Sequence, residues 1–501
     1  MPHYIMALDQ GTSSSRAIIY DEAGEVHGQG QQTFDMTFPA DGWVEQDPEV
    51  LWKTTLTAAK EALASSALDA AEISALGITN QRETTLVWDR ETGVCVYNAI
   101  VWQDRRTAGY CETLVAQEVD GRPLSALIAE QTGLVIDPYF SSTKLAWILD
   151  EVPGVRERAE AGALCFGTVD SFLIWRLTEG QSHCTDATNA SRTQLYDIER
   201  GAWSGQLLDF FTIPKALLPE VKDSAGDFGT VASAWFGAEI PILGVAGDQQ
   251  AALIGQGCFE PGQVKSTYGT GCFVMANTGQ KKIRSRQNLL ATVAYQLEGE
   301  ATYGLEGSIF VAGAAIKWLR DQLGLIEQAS ETSDAFADTG GDSGGVFVVP
   351  AFTGLGAPHW LPDVRGLITG LTLDTQRAHL VTAFLQSVVY QTEELLRAMA
   401  ADGATTTKLR VDGGMVVNDH LCQFLADILN VEVQRPADIE TTARGAAVLA
   451  GLGLGLHTNL GHAAQRWQLE RAFLPLMAPA ERQTLLAGYA GAIEQAKKVT
   501  L

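Results

Sequence analysis

Cysteine is scarce and scattered. The seven cysteines in 501 residues, at positions 95, 111, 165, 184, 258, 272 and 422, are odd in number and form no Cys-x-x-Cys pair. That argues against a disulfide framework or a thiolate zinc site and predicts free thiols in a reducing compartment. The eight histidines show no His-Glu-x-x-His spacing, the signature of a helical zinc hydrolase site. No Gly-Lys dipeptide occurs, which excludes a Walker phosphate loop, and no Gly-x-Gly-x-x-Gly occurs, which leaves a dinucleotide fold or a protein-kinase loop unsupported. Positive charge is also short: 35 Lys and Arg face 60 Asp and Glu, a formal net charge of −25. Such a chain repels nucleic acid and anionic membrane, so neither is an expected partner. Asp9 interrupts the N-terminal apolar stretch, and no signal peptide is expected. A long uncharged run, Gly344 to Pro362, carries three prolines and four glycines, so it cannot be a membrane helix. The expectation is a cytoplasmic protein without membrane insertion.

What is present begins at once. Tyr4 to Tyr20 reads as two apolar strands flanking a turn, Asp9-Gln10-Gly11-Thr12-Ser13-Ser14-Ser15. Gly11 lets the backbone approach a ligand closely, and neighbouring N–H groups can point at phosphate oxygens. Asp9, at the strand end, is placed to hold Mg²⁺ through water. A related turn recurs at Ser266-Thr267-Tyr268-Gly269-Thr270-Gly271-Cys272-Phe273. Two such hairpins suggest two halves closing on one polyphosphate. A polyphosphate bound to so acidic a chain must depend on local backbone donors and metal.

At this length two to four domains are expected. The 46% hydrophobic and 19% charged fractions are ordinary for a globular chain. Strand-like runs (Ile73–Thr79, Thr84–Trp88, Val346–Val349) alternate with helical stretches (Pro48–Ser65, Ala378–Ala401), which predicts α/β architecture. A domain boundary is expected near residue 255.

Four polar segments carry the candidate chemistry. Asn80-Gln81-Arg82-Glu83-Thr84 follows a strand; its Arg and Glu can donate to one hydroxyl and accept from another, although a surface ion pair is the commoner fate of such neighbours. Trp102 follows an apolar strand and is equally readable as core. Tyr139 precedes a helix bearing Lys144 and Trp147 and could be a capping or core residue. Gly247-Asp248-Gln249-Gln250 puts an acid between a strand and a helix, where it reads either as a general base or as a helix cap. A further segment, Leu409 to Asn418, is a strand, a double-glycine turn (Gly413-Gly414) and an Asn at a helix start. A flat ring can lie against a glycine pair because no side chain intervenes.

Asp-Gln-Gly-Thr-Ser-Ser-Ser-Arg, Gly-Ile-Thr-Asn-Gln-Arg-Glu-Thr, Asn-Ala-Ile-Val-Trp-Gln, Ala-Gly-Asp-Gln-Gln-Ala-Ala-Leu, Thr-Tyr-Gly-Thr-Gly-Cys-Phe and Arg-Val-Asp-Gly-Gly together resemble the FGGY carbohydrate kinase family, in its glycerol-phosphorylating branch, from about residue 4 to about residue 480. The resemblance implies two actin-like (ribonuclease H-like) ATPase domains, residues 1–254 binding glycerol and phosphate and residues 255–501 binding nucleotide, with the active site in the cleft between them. It implies transfer of the γ-phosphoryl group of ATP to glycerol, with Mg²⁺ held at Asp9, and a homo-oligomer, dimer or tetramer. By the same resemblance Arg82, Glu83, Tyr139, Asp248 and Gln249 would pair with the glycerol hydroxyls, Trp102 and Phe273 would wall the carbon chain, and Asp248 would be the base. Thr12, Ser13, Ser14, Arg16 and Thr270 would meet the phosphates, and Gly313, Lys317, Gly414 and Asn418 would line the nucleoside pocket. Lys317 stands where a Gln is common in the family. Two other readings stay open: a kinase for a larger polyol or ketopentose, and an actin-like ATPase acting as a chaperone or filament protein.

Overall fold

The computed structural model describes residues 3–361 and 363–499; Pro362, one of the prolines of the uncharged run, lies outside them. Two mixed sheets, each sheathed by helices, carry the same five-strand core. In the first, Val26–Thr33, Ser14–Tyr20 and Tyr4–Gln10 form an antiparallel meander. Ile73–Asn80 and then Ile240–Gly247 extend it in parallel, and short Thr230–Val231 closes the edge. In the second, Glu300–Ile309, Cys272–Gly279 and Val264–Tyr268 repeat the meander. Lys408–Asp412 and Glu432–Pro436 repeat the parallel pair, flanked by Leu290–Leu297 and Leu469–Phe473. The hairpin echo in the sequence is thus the visible part of a duplicated fold. The strands adjoining each hairpin are buried on both faces, which is why Ile5 to Leu8 reads as a continuous apolar run rather than an alternation.

Local chemistry sets the elements. The helix Pro48–Ser66 starts on Asp47, whose carboxylate accepts the Glu49 N–H, with Pro48 in the first turn. Arg377–Ala401 buries Phe384, Val388, Leu395 and Met399 along one face. The strand expected over Thr84–Trp88 is observed at Leu86–Asp89; the preceding residues belong to the site. All seven cysteines are free.

The two sheets are braced by a crossed helix pair. Asp248–Gly255 leaves the first sheet but lies against Val264–Tyr268, Cys272–Gly279 and Leu290–Leu297 of the second. Thr441–Gly453 leaves the second sheet and packs on Tyr4–Gln10, Ile73–Asn80 and Ile240–Gly247 of the first. The helices touch through glycine: a Cβ on Gly445 would fall 1.8 Å from the Ala251 carbonyl oxygen, and one on Gly255 1.9 Å from that of Thr441. Gly77 and Gly244 admit the second helix to the first sheet in the same way, with a Cβ 2.3 Å from Ala446 O and from Ala450 N.

Candidate active site

Both hairpins and both parallel-strand ends open into one cleft. The segment leaving Ile73–Asn80 is tied to the first hairpin by amides. Gln81 N donates to Gln10 O (2.7 Å), Gln81 Nε2 donates to Gln10 Oε1 (3.0 Å) and Gln46 Oε1 (2.9 Å), and Gln46 Nε2 donates to Thr12 O (2.7 Å). Glu83 adopts φ of 61°, a region a non-glycine residue occupies only when its surroundings hold it there. Thr85 Oγ1 and Ser141 Oγ do so, each donating to the Glu83 carbonyl at 3.0 Å.

Arg82 and Glu83 are not a surface pair; both are buried, and each is engaged by residues distant in sequence. Arg82 Nη1 donates to Glu306 Oε2 (2.6 Å) and Gln250 Oε1 (3.2 Å), Nη2 donates to Glu306 Oε1 (3.1 Å), and Nε lies 3.1 Å from Asp248 Oδ1. Arg192 Nε donates to Glu83 Oε1 (2.5 Å), and its Nη2 sits 3.0 Å from Glu306 Oε1. Burial alone pushes the Glu306 carboxyl up, but the Arg192 and Arg82 guanidiniums outweigh it and hold it at about 2. Asp248 is the first residue of its helix rather than its cap, a position Gly247 takes, and its Oδ1 accepts the Gln249 N–H at 2.7 Å. Gln249 Oε1 accepts from Lys265 Nζ (2.5 Å), which also donates to Thr267 Oγ1 (2.9 Å). Burial pulls the Lys265 ammonium below its ordinary value, opposed by Asp412 and Glu306.

Four of these side chains, Arg82, Glu83, Asp248 and Gln249, share one property: each is fixed at one polar atom and keeps another unused. Among the described residues no hydrogen bond engages one N–H of Arg82 Nη2, Glu83 Oε2, Asp248 Oδ2 or Gln249 Nε2, and none engages the Tyr139 hydroxyl. The apolar surround is equally compact. Trp102 meets Tyr139 edge-on at 5.7 Å between ring centroids and Phe273 at 6.1 Å, so rings from both sheets face each other. Trp102 Nε1 donates to Thr12 Oγ1 at 2.9 Å, which ties this wall to the first hairpin. Tyr139 is core on one side and cleft on the other; buried Lys144 Nζ donates to its carbonyl at 2.6 Å.

The expected phosphate and nucleoside residues divide into two groups. Thr12, Ser13 and Ser14 sit at the first hairpin tip, closed by the Gly11 N–H donating to Ser14 O at 2.9 Å. Thr270 is exposed at the second tip, where its carbonyl accepts the N–H groups of Ala312 and Ala314, both at 3.0 Å. Gly313 opens the helix Gly313–Asp321, and a Cβ there would fall 2.6 Å from Gly269 O. Gly413 has φ of 90°, with a Cβ 2.5 Å from Tyr268 O, whereas a Cβ on Gly414 would meet nothing within 4 Å. Open space therefore lies over Gly414. Lys317 is exposed one turn into the Gly313 helix. Two residues are otherwise engaged. Arg16 stands opposite Asp9 in the ladder, but its guanidinium pairs with Glu440 and Gln31. Asn418 caps the helix Asp419–Leu429 by accepting the His420 and Leu421 N–H groups, and its Nδ2 donates to Thr332 Oγ1 at 3.2 Å.

Asp9 tests the metal expectation. Burial pushes its carboxyl up to about 7, Arg16 offsetting part of the rise and Asp248 adding to it. A buried carboxylate whose ionisation the neighbouring Asp248 charge opposes, at the foot of the first hairpin, suits a divalent cation, which takes one or two carboxylates.

Sequence reasoning did not find Glu306, Arg192, Lys265 or Gln250 as site residues. Glu306 lies mid-strand and Arg192 in a segment with no motif; only the duplicated sheet brings them to the cleft.

Two repeated α/β domains with hairpins facing across a polar cleft define the actin-like ATPase class. Residues 4–255 match the N-terminal domain, and residues 264–454 the C-terminal domain, of the FGGY family of carbohydrate kinases. The chain belongs to that family. It is 55% identical over 497 residues to a glycerol kinase of Marinomonas sp. (strain MWYL1), and 56% identical over 497 residues to glycerol kinase 1 of Pseudomonas aeruginosa, with 99% of each chain covered in both cases. The crystal structure of Plasmodium falciparum glycerol kinase with ADP superposes with a TM-score of 0.91 at 34% identity, covering 100% of this chain and 99% of that one.

Proposed function

We propose that the chain transfers the γ-phosphoryl group of ATP to a terminal hydroxyl of glycerol, giving sn-glycerol 3-phosphate and ADP. The observation that carries this reading is the set of unused polar atoms. A triol of six heavy atoms gains little from apolar contact, so its recognition depends on pairing every hydroxyl. Arg82 Nη2, Glu83 Oε2, Tyr139 Oη, Asp248 Oδ2 and Gln249 Nε2 offer donors and acceptors of both kinds within one ring-walled pocket. Trp102 and Phe273, with ring centroids 6.1 Å apart, favour a short carbon chain over a ketopentose in this reading.

In this assignment Asp248 Oδ2 takes the proton of the attacking hydroxyl. The new O–Pγ bond forms as the bond from Pγ to the β-phosphate oxygen breaks. Phosphoryl transfer of this kind depends mainly on positioning and charge neutralisation. Thr12, Ser13, Ser14 and Thr270 supply the hairpin contacts to phosphate. Arg16 joins them only on leaving Glu440. Gly414 provides the open floor for the base, with Gly313, Lys317 and Asn418 around it. Asp9 would hold Mg²⁺, and a cation there would supply neutralisation of the charge on the transferring phosphate. The division of labour follows the two halves, residues 1–254 for glycerol and phosphate and 255–501 for nucleotide. The free thiols suit a cytoplasmic location, and a dimer or tetramer is the proposed assembly.

The test is coupled ADP release over a panel of glycerol, erythritol, xylitol and xylulose. Glycerol should give the highest kcat/KM by at least an order of magnitude, since an unmatched buried polar group costs about 1–3 kcal/mol. ATP turnover indifferent to any polyol would overturn the reading.

A further inference from the structure

We propose that Glu306 and Arg192 are positioning residues for the polyol pocket, so that one carboxylate of the second sheet orients both the donor and the acceptor presented by the first. This rests on the glycerol kinase reading above. Five charges alternate in sign through the protein: Asp248, Arg82, Glu306, Arg192, Glu83. The successive closest separations are 3.1, 2.6, 3.0 and 2.5 Å. Glu306 and Arg192 are fully buried, at 0% exposure.

The geometry of the middle carboxylate is the key. Glu306 takes Arg82 by both terminal nitrogens, Oε2 to Nη1 and Oε1 to Nη2, and such a two-point contact fixes the guanidinium plane as well as its position. That leaves one Nη2 N–H directed elsewhere. Glu306 Oε1 also attracts Arg192, whose Nε then engages Glu83 Oε1 and leaves Oε2 over. The donor at Arg82 and the acceptor at Glu83 are therefore set by a residue that touches neither ligand.

Packing needs do not explain this. Glu306 lies mid-strand between Met275 and Leu290, and an apolar cluster of the same volume stabilises such a site at least as well as buried ions do. Because Glu306 belongs to the second sheet and Arg82, Glu83 and Arg192 to the first half of the chain, the polyol contacts are correct only while the two sheets keep their mutual placement.

Glu306→Gln keeps the shape and one acceptor but removes the charge. Steady-state rates with glycerol and ATP varied separately should show the glycerol KM raised by about 10²-fold, the scale of an ångström-level misplacement, with the ATP KM unchanged. Glu306→Asp should recover part of the loss. Arg192→Lys, which keeps the charge but not the fork, should raise the glycerol KM by about tenfold and serves as the deciding variant if Glu306→Gln fails to fold by circular dichroism. An unchanged glycerol KM in a folded variant, or a parallel rise in both KM values, overturns the proposal. An inactive wild type overturns the functional reading itself, and wild-type preference for another polyol moves the same comparison to that polyol.

Discussion

Replacing Asp248 by Asn separates chemistry from binding. The wild-type carboxylate spends Oδ1 on the Gln249 N–H at 2.7 Å and on Arg82 Nε at 3.1 Å. Asn keeps an oxygen for both. What it loses is the charge and the basicity of Oδ2, the oxygen that no other residue engages. Removing a general base lowers kcat by about 10²–10⁴-fold, or about 2.7–5.4 kcal/mol of transition-state free energy. Glycerol binding should suffer far less, by no more than about tenfold, because Arg82 stays clamped by Glu306 and the new amide can still pair with a hydroxyl. Coupled ADP release gives kcat, and titration calorimetry gives glycerol affinity without turnover. A kcat within tenfold of wild type would remove Asp248 from the base role. A large loss of affinity with little loss of kcat would make it a binding residue instead.

The remaining predictions use other parts of the cleft. Gly414→Ala should raise the ATP KM while leaving the unfolding midpoint unchanged, because its Cβ meets no protein atom; an unaffected ATP KM would empty the proposed base floor. Trp102→Ala should relax selectivity toward four-carbon polyols and cost about 1–3 kcal/mol in glycerol kcat/KM, checked by the same polyol panel; unchanged selectivity would refute the wall. Asp9 carries a pH signature. Its folded pKa of about 7 exceeds the ordinary 3.8, so the folded state binds the extra proton and stability falls as pH rises between those values. A cation needs the ionised form, so the Mg²⁺ concentration for half-maximal activity should rise roughly tenfold from pH 8 to pH 6. Asp9→Asn should lose that pH dependence; a wild-type requirement that does not change with pH contradicts the assignment.

The local elements were legible because local rules made them. Gly11 and the hydroxyls after it mark a tight hairpin turn, Asp47-Pro48 marks a helix start, and Gly413-Gly414 marks a bend, each from adjacent residues alone. The polar pairs Arg82-Glu83 and Asp248-Gln249 stood out as candidates because each is contiguous in the chain and falls in a segment that resembles the family. Glu306, Arg192 and Lys265 were not, since a lone charge in a strand or loop reads as a solvated side chain until tertiary packing supplies its partner. The same blindness covers Thr441–Gly453: an alanine- and glycine-rich helix has no marked polar face, and nothing in its spacing says that it beds on the sheet formed by the other half of the chain.

That exchange of helices bears on how the gene product could be divided. A cut after Gly255 would release a leading fragment whose sheet has lost its covering helix, with Asp248–Gly255 projecting toward a bed that is gone; the trailing fragment would be stranded in the mirror-image way. Neither piece should persist alone, and the two should reassemble only as a mixed pair. The molecule, for all its duplicated plan, beds a helix of each half on strands of the other.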